Sequence, residues 1–230
     1  MSSIFDVSST TLSLVIPLYN EQENIPHLVD GLWRVLGDDP RFLELILVND
    51  GSGDRTAEIA GQYAARDPRI RLLQHAHNRG LGAAIRTGLA AAEGEWVLYT
   101  DADLPFDFRL IPDLLAQARP GVMVMGRRLN RGEGGRRWVL SKGYNLLCRM
   151  VLGMRLHDVN FACKLMPCRA VRGMRLCAEG SFIDAEMLLE CRRQGLDIIE
   201  VPMEYHPRTH GESTLSRLSV IRGIIVEMSA

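Results

Sequence analysis

Leu43-Glu-Leu-Ile-Leu-Val-Asn-Asp-Gly-Ser-Gly-Asp54 is an apolar run that stops abruptly at a polar, glycine-bearing turn. The run is short and bounded by turn residues, so it reads as a buried strand. Gly51 and Gly53 let the backbone turn tightly. Asp54 is placed to cap a helix that continues to about residue 65. The same strand–turn–helix unit recurs on both sides. Leu12 to Leu18 is a strand, and a helix from Asn24 to about Leu36 carries Ile25, Leu28, Val29, Leu32 and Val35 on one face. Downstream come a strand over 70–74, an alanine-rich helix over 82–92, a strand over 96–100, a helix over 107–118 and a strand over 122–125. Such alternation predicts an α/β fold: a Rossmann-like, mostly parallel central sheet with helices on both faces.

Ligands of such sheets bind beyond the carboxyl ends of the strands. Here the polar clusters lie at those ends: Asn20-Glu21, Asn49-Asp50, His75 to Arg79 and Asp101 to Asp103. After residue 126 the alternation weakens. Arg127 to Gly135 is rich in Arg and Gly and reads as a loop. A helix over 136–152, a strand near 161–166, a helix over 183–193 and a strand over 196–205 follow. No linker is visible, so the expectation is one domain, with a nucleotide-binding half to about residue 126 and an acceptor half over about 127–230.

Composition excludes several classes. The apolar fraction of 47% and charged fraction of 24% fit a globular protein, and a net charge of −1 excludes a globally basic nucleic-acid binder. The segment from Arg119 to Arg175 is nonetheless basic, with Glu133 and Asp158 its only acids. That bias suits phosphate or an anionic membrane surface, or is balanced by acids nearby in space. Five cysteines form no C-x-x-C pair and read as reduced structural thiols of a cytosolic compartment. No apolar stretch is long enough to span a bilayer. Residues 215–228 have the spacing of an amphipathic helix, which would rest on a membrane or on its own domain.

Asp101-Ala-Asp103 ends an apolar strand. Two such carboxylates suit Mg²⁺ or Mn²⁺ shared with substrate phosphates, although a bare D-x-D also arises by chance in loops. Asp50 can accept a hydrogen bond from a base or ribose, or simply close a turn. His77-Asn-Arg-Gly-Leu-Gly82 precedes a helix, and its glycines either approach an anion or only shape the helix entry. It matches neither the P-loop nor the dinucleotide fingerprint. Arg127, Arg128, Lys164 and Arg208 are basic groups that either meet phosphate, for which Arg is well suited, or, as is commoner for each taken alone, are solvated surface charges.

In order and spacing, V-I-P-L-Y-N-E (15–21), V-N-D-G-S-G-D-R-T (48–56), N-R-G-L-G-A-A-I-R-T-G-L (78–89) and T-D-A-D-L (100–104) resemble the inverting family 2 glycosyltransferases of the GT-A fold. G-R-R (126–128), D-V-N-F-A-C-K-L (158–165) and E-V-P-M-E-Y-H-P-R-T-H-G-E-S-T (200–214) narrow the likeness to the polyprenyl-phosphate branch, which includes dolichol-phosphate mannose and glucose synthases. The resemblance implies that Pro17, Tyr19 and Glu21 line a nucleoside pocket and that Asp50 binds base or ribose. It implies a metal motif at Asp101 and Asp103, with Asp103 the direct ligand and Asp101 nearer the ribose or sugar. It also implies that Arg128 faces phosphate or acceptor, with Arg127 and Lys164 on the acceptor side, and that Arg208 and Ser213 belong to a loop closing on the donor diphosphate. The sequence departs from the branch at Asn49, Pro105 and Thr214, where Asp, Gln and Lys are usual.

The activity so implied is inverting transfer of a sugar from a GDP- or UDP-sugar to a dolichyl or undecaprenyl phosphate, assisted by Mg²⁺ or Mn²⁺. It would take place at the cytoplasmic face of a membrane, with peripheral contact and without nucleic acid. A saccharide acceptor is the alternative and would require a general base, for which Asp158 and Asp184 are candidates. A nucleotide-sugar-binding module without turnover is a second alternative.

Overall fold

The computed structural model describes residues 10–129 and 156–205. Its centre is a seven-stranded sheet in the order β3-β2-β1-β4-β6-β5-β7. The strands are β1 (Leu12–Leu18), β2 (Phe42–Asn49), β3 (Ile70–Gln74), β4 (Trp96–Thr100), β5 (Val122–Arg128), β6 (Cys163–Pro167) and β7 (Asp197–Met203). The pairs β1–β2, β1–β4, β2–β3 and β5–β7 are parallel, whereas β6 runs antiparallel to both β4 and β5. All strands but β6 therefore finish at one edge of the sheet.

Helices α1 (Asn24–Leu36), α2 (Thr56–Arg66) and α4 (Ile111–Ala116) share a core with one face, which includes Leu14, Ile16, Leu45, Leu47 and Leu98. Helices α3 (Leu81–Ala91), α5 (Cys168–Val171) and α6 (Ile183–Arg193) cover the other face, packing against Val15, Ile46, Val48, Val97 and Tyr99. Both faces of the central strands are thus buried, which is why β1 and β4 are buried along their whole length and, apart from Ser13 and Thr100, near-continuously apolar instead of alternating.

Three local expectations need correction. Arg127 and Arg128 do not begin a loop: β5 runs on through them, paired with Pro202 and Met203 of β7. The helix expected from residue 107 starts as a 3₁₀ turn over Phe108–Leu110 and becomes α-helical only at Ile111. Pro112 at the second helical position has no N–H, which suits a helix start and not an interior. The helix expected from Asp54 begins at Thr56, with Asp54 just outside, where its Oδ1 accepts from the Thr56 N–H at 3.0 Å. The expected helices over 136–152 and 215–228 lie outside the described residues. Among the described residues no helix is long and apolar enough to cross a membrane.

Candidate active site

The β1–α1 and β2–α2 turns are stitched side chain to backbone. Asn20 Oδ1 accepts from the Gly53 N–H at 2.9 Å, Ser52 Oγ accepts from the Asn20 N–H at 3.0 Å, and Thr56 Oγ1 accepts from the Glu21 N–H at 2.8 Å. This leaves Tyr19 44% exposed at the sheet edge and Glu21 half-buried, while Pro17 is buried inside β1. Of the three residues expected to line a nucleoside pocket, Tyr19 is the one most open to a ligand.

Asp50 follows β2 and is only 3% exposed. Its Oδ1 accepts from His75 Nδ1 at 2.6 Å and from the Arg79 N–H at 2.9 Å, and its Oδ2 accepts from the Gly80 N–H at 2.8 Å. His75 Nε2 in turn meets Thr87 Oγ1 of α3 at 2.9 Å. The carboxylate expected to reach a base or ribose is thus engaged by the loop that leads into α3.

The glycines of that loop serve backbone contact with the chain itself. Gly80 (φ 94°) and Gly82 abut the Glu179 and Ala178 carbonyls, which a Cβ at either position would strike. The Gly82 N–H donates to the Glu179 carbonyl at 2.7 Å. Arg86 of α3 donates to the Ala178 carbonyl, and Glu186 of α6 accepts from the N–H groups of Cys177 and Ala178. A cleft of about 540 Å³ lies where the segments meet, lined by His77, Asn78, Arg79, Gly80, Glu179 and Gly180.

Asp101 and Asp103 follow β4. Leu104 comes next with φ 53°, a left-handed conformation that costs a leucine on the order of 1 kcal/mol or more. The strained turn bends the chain immediately after the two carboxylates. Burial, then the neighbouring charges of Asp103 and Asp184, raise the Asp101 pKa to about 7, while the Tyr99 hydroxyl and the Lys164 ammonium oppose that rise. Three carboxylates facing one ammonium form a site short of positive charge. Hard oxygen donors in such a field fit Mg²⁺ or Mn²⁺ completed by phosphate oxygens. Among the described residues no group of three or more His, Cys, Asp or Glu forms a metal-binding cluster.

Arg128 and Lys164 are less open than expected of acceptor ligands. Arg128 grips the fully buried Asp158 through Nε (2.7 Å) and Nη2 (2.8 Å), and its guanidinium lies over the rings of Phe161 and Tyr205. Lys164 is completely buried, its ammonium paired with Asp184 and donating to the Phe161 carbonyl at 2.9 Å. Arg127 is half-buried at the end of β5. Arg208 and Ser213 lie outside the described residues. Tyr99 and His75 were not singled out from sequence, being an aromatic in an apolar strand and one polar residue among several. The thiols of Cys163 and Cys191 are pushed up to about 12 and that of Cys168 to about 11, chiefly by burial, which fits structural cysteines.

Residues 13–174 match Glycosyl transferase family 2. A dolichyl-phosphate beta-glucosyltransferase of Trichomonas vaginalis is 30% identical, over 89% of this chain and 68% of that protein. A dodecaprenyl-phosphate galacturonate synthase of Rhizobium johnstonii is 31% identical, over 90% of this chain and 62% of that protein. In structure, the chain is similar to glucosyl-3-phosphoglycerate synthase of Mycobacterium tuberculosis, solved with Mn²⁺, uridine diphosphate and glucosyl-3-phosphoglycerate. The TM-score is 0.75 at 23% identity, covering 96% of this chain and 79% of that one.

Proposed function

Because the chain belongs to glycosyl transferase family 2, we propose that it moves a sugar from a nucleoside-diphosphate donor to a polyprenyl phosphate, with inversion at the anomeric carbon. The observation that carries this reading is the Asp101–Asp103 pair at the carboxyl end of β4, crowded by Asp184 at an edge where the other polar strand ends converge. The relatives that act on dolichyl and dodecaprenyl phosphates support a lipid phosphate as acceptor. The part of the chain up to β5 would handle the nucleotide sugar and the remainder the acceptor.

In this mechanism Tyr19 and Glu21 contact the nucleoside, and the loop clamped by Asp50 walls the donor site. Asp101 and Asp103 would hold Mg²⁺ or Mn²⁺, which when bound supplies positive charge against the departing diphosphate. Arg127, with Arg208 and Ser213, would serve the phosphates, and Arg128 holds the end of β5 in place through Asp158. An acceptor phosphate is ionised at neutral pH and needs orientation more than a base. The two base candidates fit that economy: Asp158 is gripped by Arg128 and Asp184 by Lys164, so each is already committed to a cation. This favours a phosphate over a saccharide hydroxyl.

With a lipid acceptor the protein would work in contact with a membrane, and we place that contact, as a peripheral one, at the cytoplasmic face. The deciding experiment incubates the protein with labelled nucleotide sugars and polyprenyl phosphate, with and without Mn²⁺ or Mg²⁺. Metal-dependent label in the lipid phase is the expected result. Label in a water-soluble saccharide alone would move the acceptor assignment, and donor binding without transfer or hydrolysis would sink the enzymatic mechanism.

A further inference from the structure

The Asp101–Asp103 pair rests on a buried scaffold to which the reaction outlined above assigns no task. Tyr99 is fully buried in β4, and its hydroxyl donates to Asp101 Oδ1 at 3.0 Å. Directly across the antiparallel β4–β6 ladder, Lys164 faces the same ring, with its ammonium 5.7 Å from the ring centroid. That distance is within cation–π range. The ammonium is fixed from the other side by Asp184 near the start of α6 and by the Phe161 carbonyl. The Lys164 side chain is 0% exposed and that of Asp184 6%.

A buried ion pair is a poor source of stability, because desolvating both charges offsets most of their attraction. A well-packed apolar pair would hold β6 to α6 equally well. What an apolar pair could not do is place a fixed positive charge on the face of the tyrosine that orients Asp101. Nor can Lys164 meet an acceptor from this position, since no part of it reaches solvent.

We propose that Tyr99 and Lys164 are positioning residues for Asp101, so that Lys164 serves the donor and metal side of the reaction and not the acceptor side. Asp184 anchors the ammonium, the ammonium fixes the ring, and the ring hydroxyl sets the direction of the Asp101 carboxylate. The second half of the chain thereby holds a residue of the first half in its working geometry. The inference rests on the reading that Asp101 and Asp103 bind a divalent cation with the donor diphosphate.

The test is Tyr99→Phe in the full chain, which keeps the ring and the cation–π contact and removes the hydroxyl alone. Mn²⁺ binding is followed by electron paramagnetic resonance of the free ion, with UDP and with GDP in parallel, alongside kcat and acceptor KM. Outer partners of metal ligands typically contribute about 10–100-fold to affinity. The expected result is accordingly a loss of Mn²⁺ affinity of about 10-fold and a lower kcat, with acceptor KM unchanged. Lys164→Met is expected to lower kcat in the same way without raising acceptor KM. Wild-type Mn²⁺ affinity in Tyr99→Phe overturns the proposal, as does a Lys164→Met defect confined to acceptor KM. Absence of Mn²⁺ binding by the wild-type protein would instead overturn the metal reading on which it stands, before any variant is compared.

Discussion

Replacing Asp50 with Asn separates two roles for a carboxylate at the end of β2. In the structure the Asp50 oxygens accept from His75 Nδ1, the Arg79 N–H and the Gly80 N–H, at 2.6, 2.9 and 2.8 Å. An asparagine keeps the shape but turns one acceptor into a donor, so an N–H of the loop faces an NH₂. Losing one charge-assisted hydrogen bond in a buried place costs about 1.5–3 kcal/mol. For a chain of this size each kcal/mol moves the midpoint by about 2–4 °C, so Tm should fall by about 3–12 °C. Thermal unfolding followed by circular dichroism measures that fall, and hydrogen exchange at the Arg79 and Gly80 amides localises it. Donor KM should rise as the loop loosens. A raised donor KM with unchanged Tm and unchanged amide protection would refute the clamp and return Asp50 to direct contact with the nucleoside.

Asp103→Ala is expected to abolish metal-dependent transfer while leaving the fold intact, and full activity in that variant would end the metal assignment. Gly82→Ala should destabilise by about 1–3 kcal/mol in urea unfolding, because the added methyl meets the Ala178 backbone carbonyl. The helix propensity gained, at most about 1 kcal/mol, is too small to offset that overlap. Asp67 is held at a pKa of about 2, mainly by its hydrogen bonds from the Arg69 guanidinium, with Trp33 Nε1 donating at 3.1 Å. A depressed carboxylate adds stability above its unfolded pKa and loses it as pH falls through the folded one, so this contribution should disappear between about pH 4 and pH 2. Partial exposure limits it to about 1 kcal/mol, and Asp67→Asn should flatten that part of a urea-derived stability curve.

The strands up to β4 were legible because each is a short, mostly apolar run ended by a polar turn, and the D-x-D at the end of β4 was legible for the same reason. Direction was not. Nothing in C-K-L-M-P says that β6 enters antiparallel between β4 and β5, since buried strands of either sense have the same composition. Lys164 carries a charge and so read as a surface residue, placed on the acceptor side only by the resemblance. Its burial depends on Asp184, which lies 20 residues onward in sequence and across the fold in space. A faint signal existed: Asp184 sits on the buried side of α6, beside Ile183 and Ala185, where an acid needs a cation. Arg127 and Arg128 read as loop because they open a stretch rich in Arg and Gly, yet Asp158 and two aromatic rings give Arg128 a place at the end of β5. The N-R-G-L-G stretch looked like an anion cradle or a helix entry. Its glycines answer to the backbone of residues 178–179, which sequence proximity cannot reveal.

The sheet order also governs how the chain can fold as it is synthesised. β4 is completed early and finds β1 on one side, but its other side waits for β6, which comes after all of β5. β5 itself has no neighbour until β6 and β7 emerge. A nascent chain, or a truncated fragment ending near β5, would therefore present the unpaired backbone edge of β4, flanked by its buried apolar side chains, and an unpaired β5 to its surroundings, both templates for aggregation. Dividing this protein just after β5 should give insoluble pieces, and co-expressing the two pieces should restore solubility only when the second contains β6.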